Sequence, residues 1–346
     1  MELTANPRST STRWVLKNKW LLLIGALLTG VIIVANNIYD PTEAVLATTI
    51  RLSTPLILGA LCGLIGERTG VVNIGIEGQM LLAAFFAFLA NVFIGNLGMP
   101  MWLTLALATV VGALTGALVG GLLAFMAVTL KMDQIIGGTV INILALGLTG
   151  YFYTTGLTTR GKFAPIPLGP LADIPLIGPV LFDNPPITYL AIILVFVIHY
   201  TLFYTRWGLR SRAVGEHPRA ADTVGINVAR MRYLNVILAG AIAGLGGAFL
   251  TLEGVGSFER QMTNGRGFLA LAIMIFGKWT PLGAWGAALL FGFLYALQNQ
   301  LNFEGVNLPP QLIGSIPYVA TIIVLAGFVG RSRGPAAAGQ PYETEG

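Results

Sequence analysis

The sequence predicts an all-α polytopic membrane protein of about ten transmembrane helices, some short or broken, with both termini cytoplasmic. Three observations carry that expectation. Of the 346 residues, 55% are hydrophobic and only 10% are charged, well under half the charged share of a soluble domain. At roughly 20 residues per crossing, the apolar runs supply about ten spans. The 20 basic residues are also divided unevenly between alternate loops. This composition excludes most soluble enzyme folds and any sizeable water-soluble domain. The 44 glycines are too many for helices that merely anchor, because glycine costs helix stability and is kept where backbones bend or approach closely. Cys62 is the single cysteine, which excludes a disulfide framework or a Cys-based metal site. The net charge of +5 is read through membrane orientation, so no nucleic-acid partner is expected.

Residues 1–19 form a cytoplasmic segment, residues 20–330 the transmembrane domain and residues 331–346 a cytoplasmic tail. Long apolar runs bounded by charges or turn residues place the spans at 20–34, 44–65, 80–93, 101–130, 134–153, 187–204, 234–252, 267–276, 282–297 and 312–329. The runs 80–93 and 267–276 are too short for a hydrocarbon core about 30 Å thick, and are expected to be half-spans or broken helices completed by their flanks. The first run has no small-residue cleavage site after it, so a removed signal is not expected. With the N-terminus inside, 15 basic residues fall in cytoplasmic loops; only Arg51, Arg160, Lys162, Arg260 and Arg266 fall outside. Positively charged loops stay on the cytoplasmic side, and this asymmetry sets the orientation.

Two loops are long. The external loop 156–186 holds seven of the 18 prolines; it is expected to form an ordered cap without regular structure, its Leu and Ile residues packed on the helix ends. The cytoplasmic loop 205–233 carries six of the 15 internal basic residues. An inverted repeat is also possible. Residues 59–66, GALCGLIG, resemble residues 240–247, GAIAGLGG, and the two helices would run in opposite directions, as in transporters that open a central site alternately to either side. Chance similarity of Gly-rich apolar helices explains the match equally well. The four-residue spacings Gly59/Gly63, Gly112/Gly116/Gly120 and Gly240/Gly244 fit close helix crossing.

The stretch from Gly66 to Met80 interrupts two apolar runs with Glu67, Asn73, Glu77 and Gln79, and its four glycines allow the backbone to unwind. A carboxylate deep in a bilayer costs about 2.5–3.5 kcal/mol on insertion scales, so Glu77 must face protein or water and have partners. Two readings stand. Asn73, Glu77 and Gln79 border a polar pathway, or they satisfy the exposed groups of a broken backbone, with Glu77 capping the start of the following helix. Asn142 and Glu253 are further candidates for the pathway. Asn235, Gln298 and Asn299 also lie near apolar centres, where an amide can read a base or ribose, or, more commonly, bond helix to helix. Phe85, Phe86, Phe88 and Trp285 offer stacking faces, although packing is the ordinary use of such rings.

The run from Glu67 to Gly78 resembles a signature of membrane permeases of ATP-binding-cassette importers, in the branch that includes ribose-type sugar and branched-chain amino-acid permeases. Within it, the sequence looks most like nucleoside-importer permeases that work with lipoproteins of the basic membrane protein family. The run from Ala213 to Val228 resembles the cytoplasmic segment by which such permeases dock on their ATPases. Its residue types fit a short exposed helix: Pro218 suits a first turn, Glu216 and Asp222 flank Arg219, and Gly225 can stop the helix. His217 stands where the family pattern has Asn. The segment 305–312, with Pro317 and Tyr318, also resembles the nucleoside branch. The likeness runs from about residue 53 to 325, weakest in the external loop and tail.

That resemblance implies a permease subunit for nucleosides in a prokaryotic inner membrane. Arg212, Glu216, His217, Arg219 and Asp222 would couple it to a cytoplasmic ATPase. Its other partners would be a second permease subunit, identical or not, an extracytoplasmic substrate-binding lipoprotein and membrane lipid. No phosphate-binding loop is present in the sequence, so no cofactor is expected on this chain; ATP and Mg would belong to the partner. No metal site is expected, since His199 and His217 are the two histidines. Glu67 and Arg68 would brace the docking region. The alternatives are a simple-sugar permease of the same type, or an ion-coupled secondary transporter with Glu77 or Glu253 carrying protons.

Overall fold

The computed structural model describes residues 42–154, 156–303, 309–327 and 334–343. The expected span at 20–34 lies outside them. Apolar runs with no competing β pattern become helices because a bilayer leaves the backbone no partner but itself. In chain order they are α1 (Thr42–Glu67), α2 (Ile76–Gly95), α3 (Met101–Ala124) and α4 (Gln134–Phe152). A short α5 (Ile177–Leu181) precedes α6 (Pro186–Tyr204), α7 (Arg206–Glu216) and α8 (Pro218–Thr223). The chain continues with α9 (Val228–Phe249), α10 (Arg266–Phe276), α11 (Pro281–Phe303) and α12 (Pro310–Gly327). Among the described residues, seven helices are long and apolar enough to cross a membrane, and α10 is a shorter apolar helix.

Three expectations need correction. The run 80–93 is not a half-span: α2 is a continuous helix of 20 residues, about 30 Å at 1.5 Å per residue. Its polar first turn is helical because Gln79 and Gly78 are buried against other helices. The span expected to start at residue 234 starts at Val228, where Asn227 caps it through a bond from the Arg230 amide. Finally, the loop 156–186 has regular structure: Ile166–Pro167 (β1) pairs antiparallel with Asp183–Asn184 (β2), and Gly169–Leu171 makes a 3-10 turn before α5. Leu168, Leu171, Ile174, Leu176, Ile177 and Leu181 are exposed. The cap is instead held by polar contacts: Arg51 Nη2 donates to the Asp183 carbonyl at 3.0 Å, and the Arg160 amide to Asn91 Oδ1 at 2.9 Å.

The core is built on α1, whose Leu56, Leu58, Leu61 and Leu64 are buried among α2, α9, α10 and α11. Helices α3 and α9 run antiparallel in backbone contact. A Cβ placed on Gly116 would lie 2.2 Å from the Gly240 carbonyl, and one on Gly120 would lie 2.7 Å from that of Val236. Only glycine permits such an approach. The predicted glycine spacings do mark crossings, but Gly59 and Gly63 face Ala270 and Met274 of α10. Helices α1 and α9 also run antiparallel: Gly246 lies beside Leu58, and Arg232 reaches the Thr69 carbonyl. Both α3 and α9 end in π-turns, Phe125–Thr129 and Leu250–Val255. Such widened turns are frequent at functional positions.

Candidate functional site

The bundle has a basic end and a capped end. At the basic end, Thr205 caps α7 by accepting from the Gly208 amide, and the chain turns at His217 into α8, where Pro218 takes the first helical position as predicted. Gly225, at φ +81, closes the turn before α9. Glu216, His217 and Arg219 are exposed, and Asp222 is half-buried. Ala221 is buried with Val214 and Val228, which seats α8 on α7 and α9.

This platform is joined to the turn between α1 and α2. A Cβ on Gly215 would lie 2.3 Å from the Arg68 carbonyl, so the end of α7 rests on that backbone. The Arg68 guanidinium donates through Nε and Nη2 to the Trp279 carbonyl at 3.0 and 2.8 Å. Glu67 Oε2 accepts from Trp279 Nε1 at 2.5 Å. Arg212 and Arg68 both lie over the Phe203 ring, at 5.1 and 5.8 Å from its centroid. Glu67 and Arg68 therefore bind the turn between α10 and α11, while the Arg68 backbone touches α7. Nothing in the sequence marked Trp279 or Gly215 for this, because both contacts join residues more than 140 positions apart.

Deeper in, the chain from Gly70 to Gly75 is non-helical and runs beside α4. Gln134 Oε1 accepts from the Val72 amide at 2.7 Å, and a Cβ on Gly75 would lie 3.3 Å from Gly138. Asn142 holds both sides of the break, accepting from the Gly78 amide at 2.7 Å and donating to the Ile74 carbonyl at 3.0 Å. Asn73 and Gln79, 1% and 0% exposed, share a cluster with Cys62, although Asn73 Oδ1 and Gln79 Nε2 have no hydrogen-bond partner among the described residues. Asn73 Nδ2 donates to Gln79 Oε1 at 3.0 Å and to Cys62 Sγ at 3.4 Å, and the thiol donates to Gln79 Oε1 at 3.6 Å. Burying amides in a bilayer without such partners would cost several kcal/mol each.

Glu77 caps a helix, but not its own. Its two oxygens accept from the Gly265 and Gly267 amides at 2.8 and 2.6 Å, so it holds the start of α10. The expectation that it caps the following helix is thereby corrected: α2 begins at Ile76, and Gly75 before it provides no side-chain cap. Towards the capped end, Glu253, 6% exposed, does the same for α6, accepting from the Ile187 and Thr188 amides at 2.8 and 3.1 Å and from the Thr188 hydroxyl. Helix N-termini carry partial positive charge and unpaired N–H groups, which explains why both deep carboxylates end there.

The five predicted pathway residues thus fall into three groups. Asn73 and Gln79 share one cluster, Asn142 and Glu77 tie the break and its following turn to α4 and α10, and Glu253 stands apart. Asn235 bonds Ser211 and the Met231 carbonyl, the helix-joining use of an amide. Phe85 and Phe88 pack on Phe258 with centroids 5.1 and 5.9 Å away, Phe86 is exposed, and Trp285 meets the Phe196 edge at 5.6 Å.

Comparison with known proteins gives a consistent answer. Residues 45–326 match the family described as branched-chain amino acid transport system / permease component. The guanosine ABC transporter permease protein NupQ of Bacillus subtilis is 41% identical over 309 residues, covering 86% of this chain and 96% of that protein. The nucleoside ABC transporter permease protein NupC of Lactococcus lactis is 38% identical, over 88% and 98% of the two chains. A second Bacillus subtilis protein, the guanosine ABC transporter permease protein NupP, is 27% identical over 81% and 79%.

Proposed function

The chain belongs to the family of branched-chain amino acid transport system permease components, and from that premise we propose that it is a membrane permease subunit of an ATP-driven importer for nucleosides. One observation carries the substrate class: the guanosine and nucleoside permeases are 41% and 38% identical to this chain, against 34% for the putative glucose ABC transporter permease protein TsgC13 of Haloferax volcanii, all three matched over nearly their whole lengths. The basic end faces the cytoplasm, as the positive-inside asymmetry requires, and the capped end faces the binding lipoprotein that delivers substrate. A cytoplasmic ATPase holds ATP and Mg, and docks on α8 through Glu216, His217, Arg219 and Asp222, with Arg212 behind them. The second permease subunit is a distinct chain. Support for this comes from NupP and NupQ, two guanosine permease proteins of one organism to which this chain is unequally similar.

The geometry supplies a route for the stroke. Movement of α8 and α7 is passed by the Gly215 contact to the Arg68 backbone, by Glu67 and Arg68 to Trp279, and so to α10. Glu77 ties the other end of α10 to the break before α2. Asn73, Gln79, Asn142, Glu77 and Glu253 serve the pathway by fixing the backbone beside it.

The test is uptake of labelled guanosine in cells lacking the chain and complemented with it. Wild-type chain restores uptake, unlabelled nucleosides compete and simple sugars do not; competition by sugars alone would move the substrate class to sugars. Uptake that collapses with an uncoupler at constant ATP would identify an ion-coupled carrier. Arg219→Glu abolishes uptake and ATPase co-purification while leaving membrane insertion intact. Normal uptake by that variant would remove the docking assignment.

A further inference from the structure

Residues 334–343 lie across the basic end and bond to each part of it. The Ala337 amide donates to the Gly215 carbonyl at 2.9 Å, the Ala336 amide to Glu216 Oε2 at 3.2 Å, and the Gly339 amide to the Gly70 carbonyl at 3.1 Å. Arg232, 1% exposed, donates through Nη1 to the Gln340 carbonyl at 2.9 Å and through Nε to the Thr69 carbonyl at 3.2 Å. Tyr342 Oη donates to Asp222 Oδ2 at 2.7 Å. Glu343 Oε1 pairs with Lys131 Nζ at 2.7 Å, in the link between α3 and α4. A cavity of about 390 Å³ lies between these last groups, lined by Val128, Lys131, Asp222, Arg232, Tyr342 and Glu343.

The segment is thus bonded to α7, α8, α9, the turn between α1 and α2, and the link between α3 and α4. A helix of six residues such as α8 does not hold its own shape or direction, because nucleation is costly and few bonds follow it. Its direction is set by what it is tied to. Two of the acids predicted to contact an ATPase, Glu216 and Asp222, are held by this segment. A hydrogen bond from the Lys131 ammonium also keeps the Glu343 carboxyl below the usual carboxylate range.

We infer that the C-terminal segment is a working part of the coupling device: it fixes α8 against α9 and the α3–α4 link, so that a stroke on α8 is carried into the spanning helices. This rests on the docking reading above. Tyr342, Glu343 and Lys131 are positioning residues.

The test uses the complete importer in proteoliposomes, with nucleoside uptake and ATP hydrolysis measured together. Tyr342→Phe keeps the ring and removes one hydrogen bond, and is expected to raise the ATP consumed per nucleoside about fivefold, the factor such a bond carries. A chain ending at Gly334 raises it further. Lys131→Glu and Glu343→Lys each raise it by about twofold, the scale of an exposed pair, and the double reversal restores it. An unchanged ratio, with uptake and hydrolysis falling together, would overturn the inference and leave the segment a folding staple. Increased uptake on truncation would overturn it too, by making the segment a block on docking. Arg219→Glu run in parallel separates the two readings: retention of the ATPase there removes the docking assignment, whereas its loss there with an unchanged ratio in the tail variants removes this inference alone.

Discussion

Glu253 and Glu77 are the clearest cases of residues whose chemistry was legible and whose partners were not. A carboxylate in an apolar run demands donors, and the sequence says so; it does not say that the donors are the first amides of α6 and α10, 66 and 190 positions away. The two sites differ in burial, since Glu253 is buried and Glu77 half-buried. Glu253→Ala leaves the two buried N–H groups of Ile187 and Thr188 unpaired, at about 1–3 kcal/mol for each, while the Thr188 hydroxyl keeps its bond from Thr54. Glu77→Ala lets water reach its amides and costs less. Thermal unfolding in detergent is therefore expected to show a larger drop for Glu253→Ala than for Glu77→Ala, and the reverse order would refute the burial argument. Asn73 and Gln79 teach the same lesson in a different way. Polar residues beside a helix break point equally to a pathway and to a buried side-chain cluster, and Cys62, which joins the cluster, carries no sequence signal beyond being apolar in its surroundings.

Among the elements, glycine spacing announced tight crossings without naming the pairs. The stripe Gly112, Gly116 and Gly120 meets α9, so α3 and α9 touch backbone to backbone, while Gly121 on the same helix has its nearest neighbour 3.7 Å from a Cβ. Gly116→Val must push the helices apart, at a cost of about 1–3 kcal/mol or more from overpacking, whereas Gly121→Val is close to neutral. Measuring the melting temperature and uptake of both decides it: equal tolerance would mean that α3 does not lie on α9. The helix α2 was expected to be broken because its apolar run is short. It is continuous because tertiary burial makes a polar first turn affordable, a gain that no window of hydropathy contains. The external loop shows the opposite error, since its Leu and Ile residues predicted packing and are exposed, while Arg51 and Arg160 hold it down.

For the molecule as a whole, the orientation follows from the division of basic residues, and Cys62 makes it testable because the native thiol is 0% exposed. Gly169→Cys in the cap is expected to react with an impermeant maleimide in intact cells, and Thr223→Cys, at the end of α8, only once the membrane is opened. Labelling in the opposite order would invert the topology. The sequence by itself determined the class, the place of each described span though not its exact ends, and the family, because a bilayer imposes a length and polarity rule that local composition satisfies or fails. It also located the short helix α8, whose proline, charges and glycine stop act within a dozen residues. Only the tertiary structure decided which helix each deep carboxylate caps, which glycine stripes meet, and that the C-terminal segment is bonded to α8. Those pairings join residues far apart in the chain, and the free energy that selects them exists only once the helices have packed.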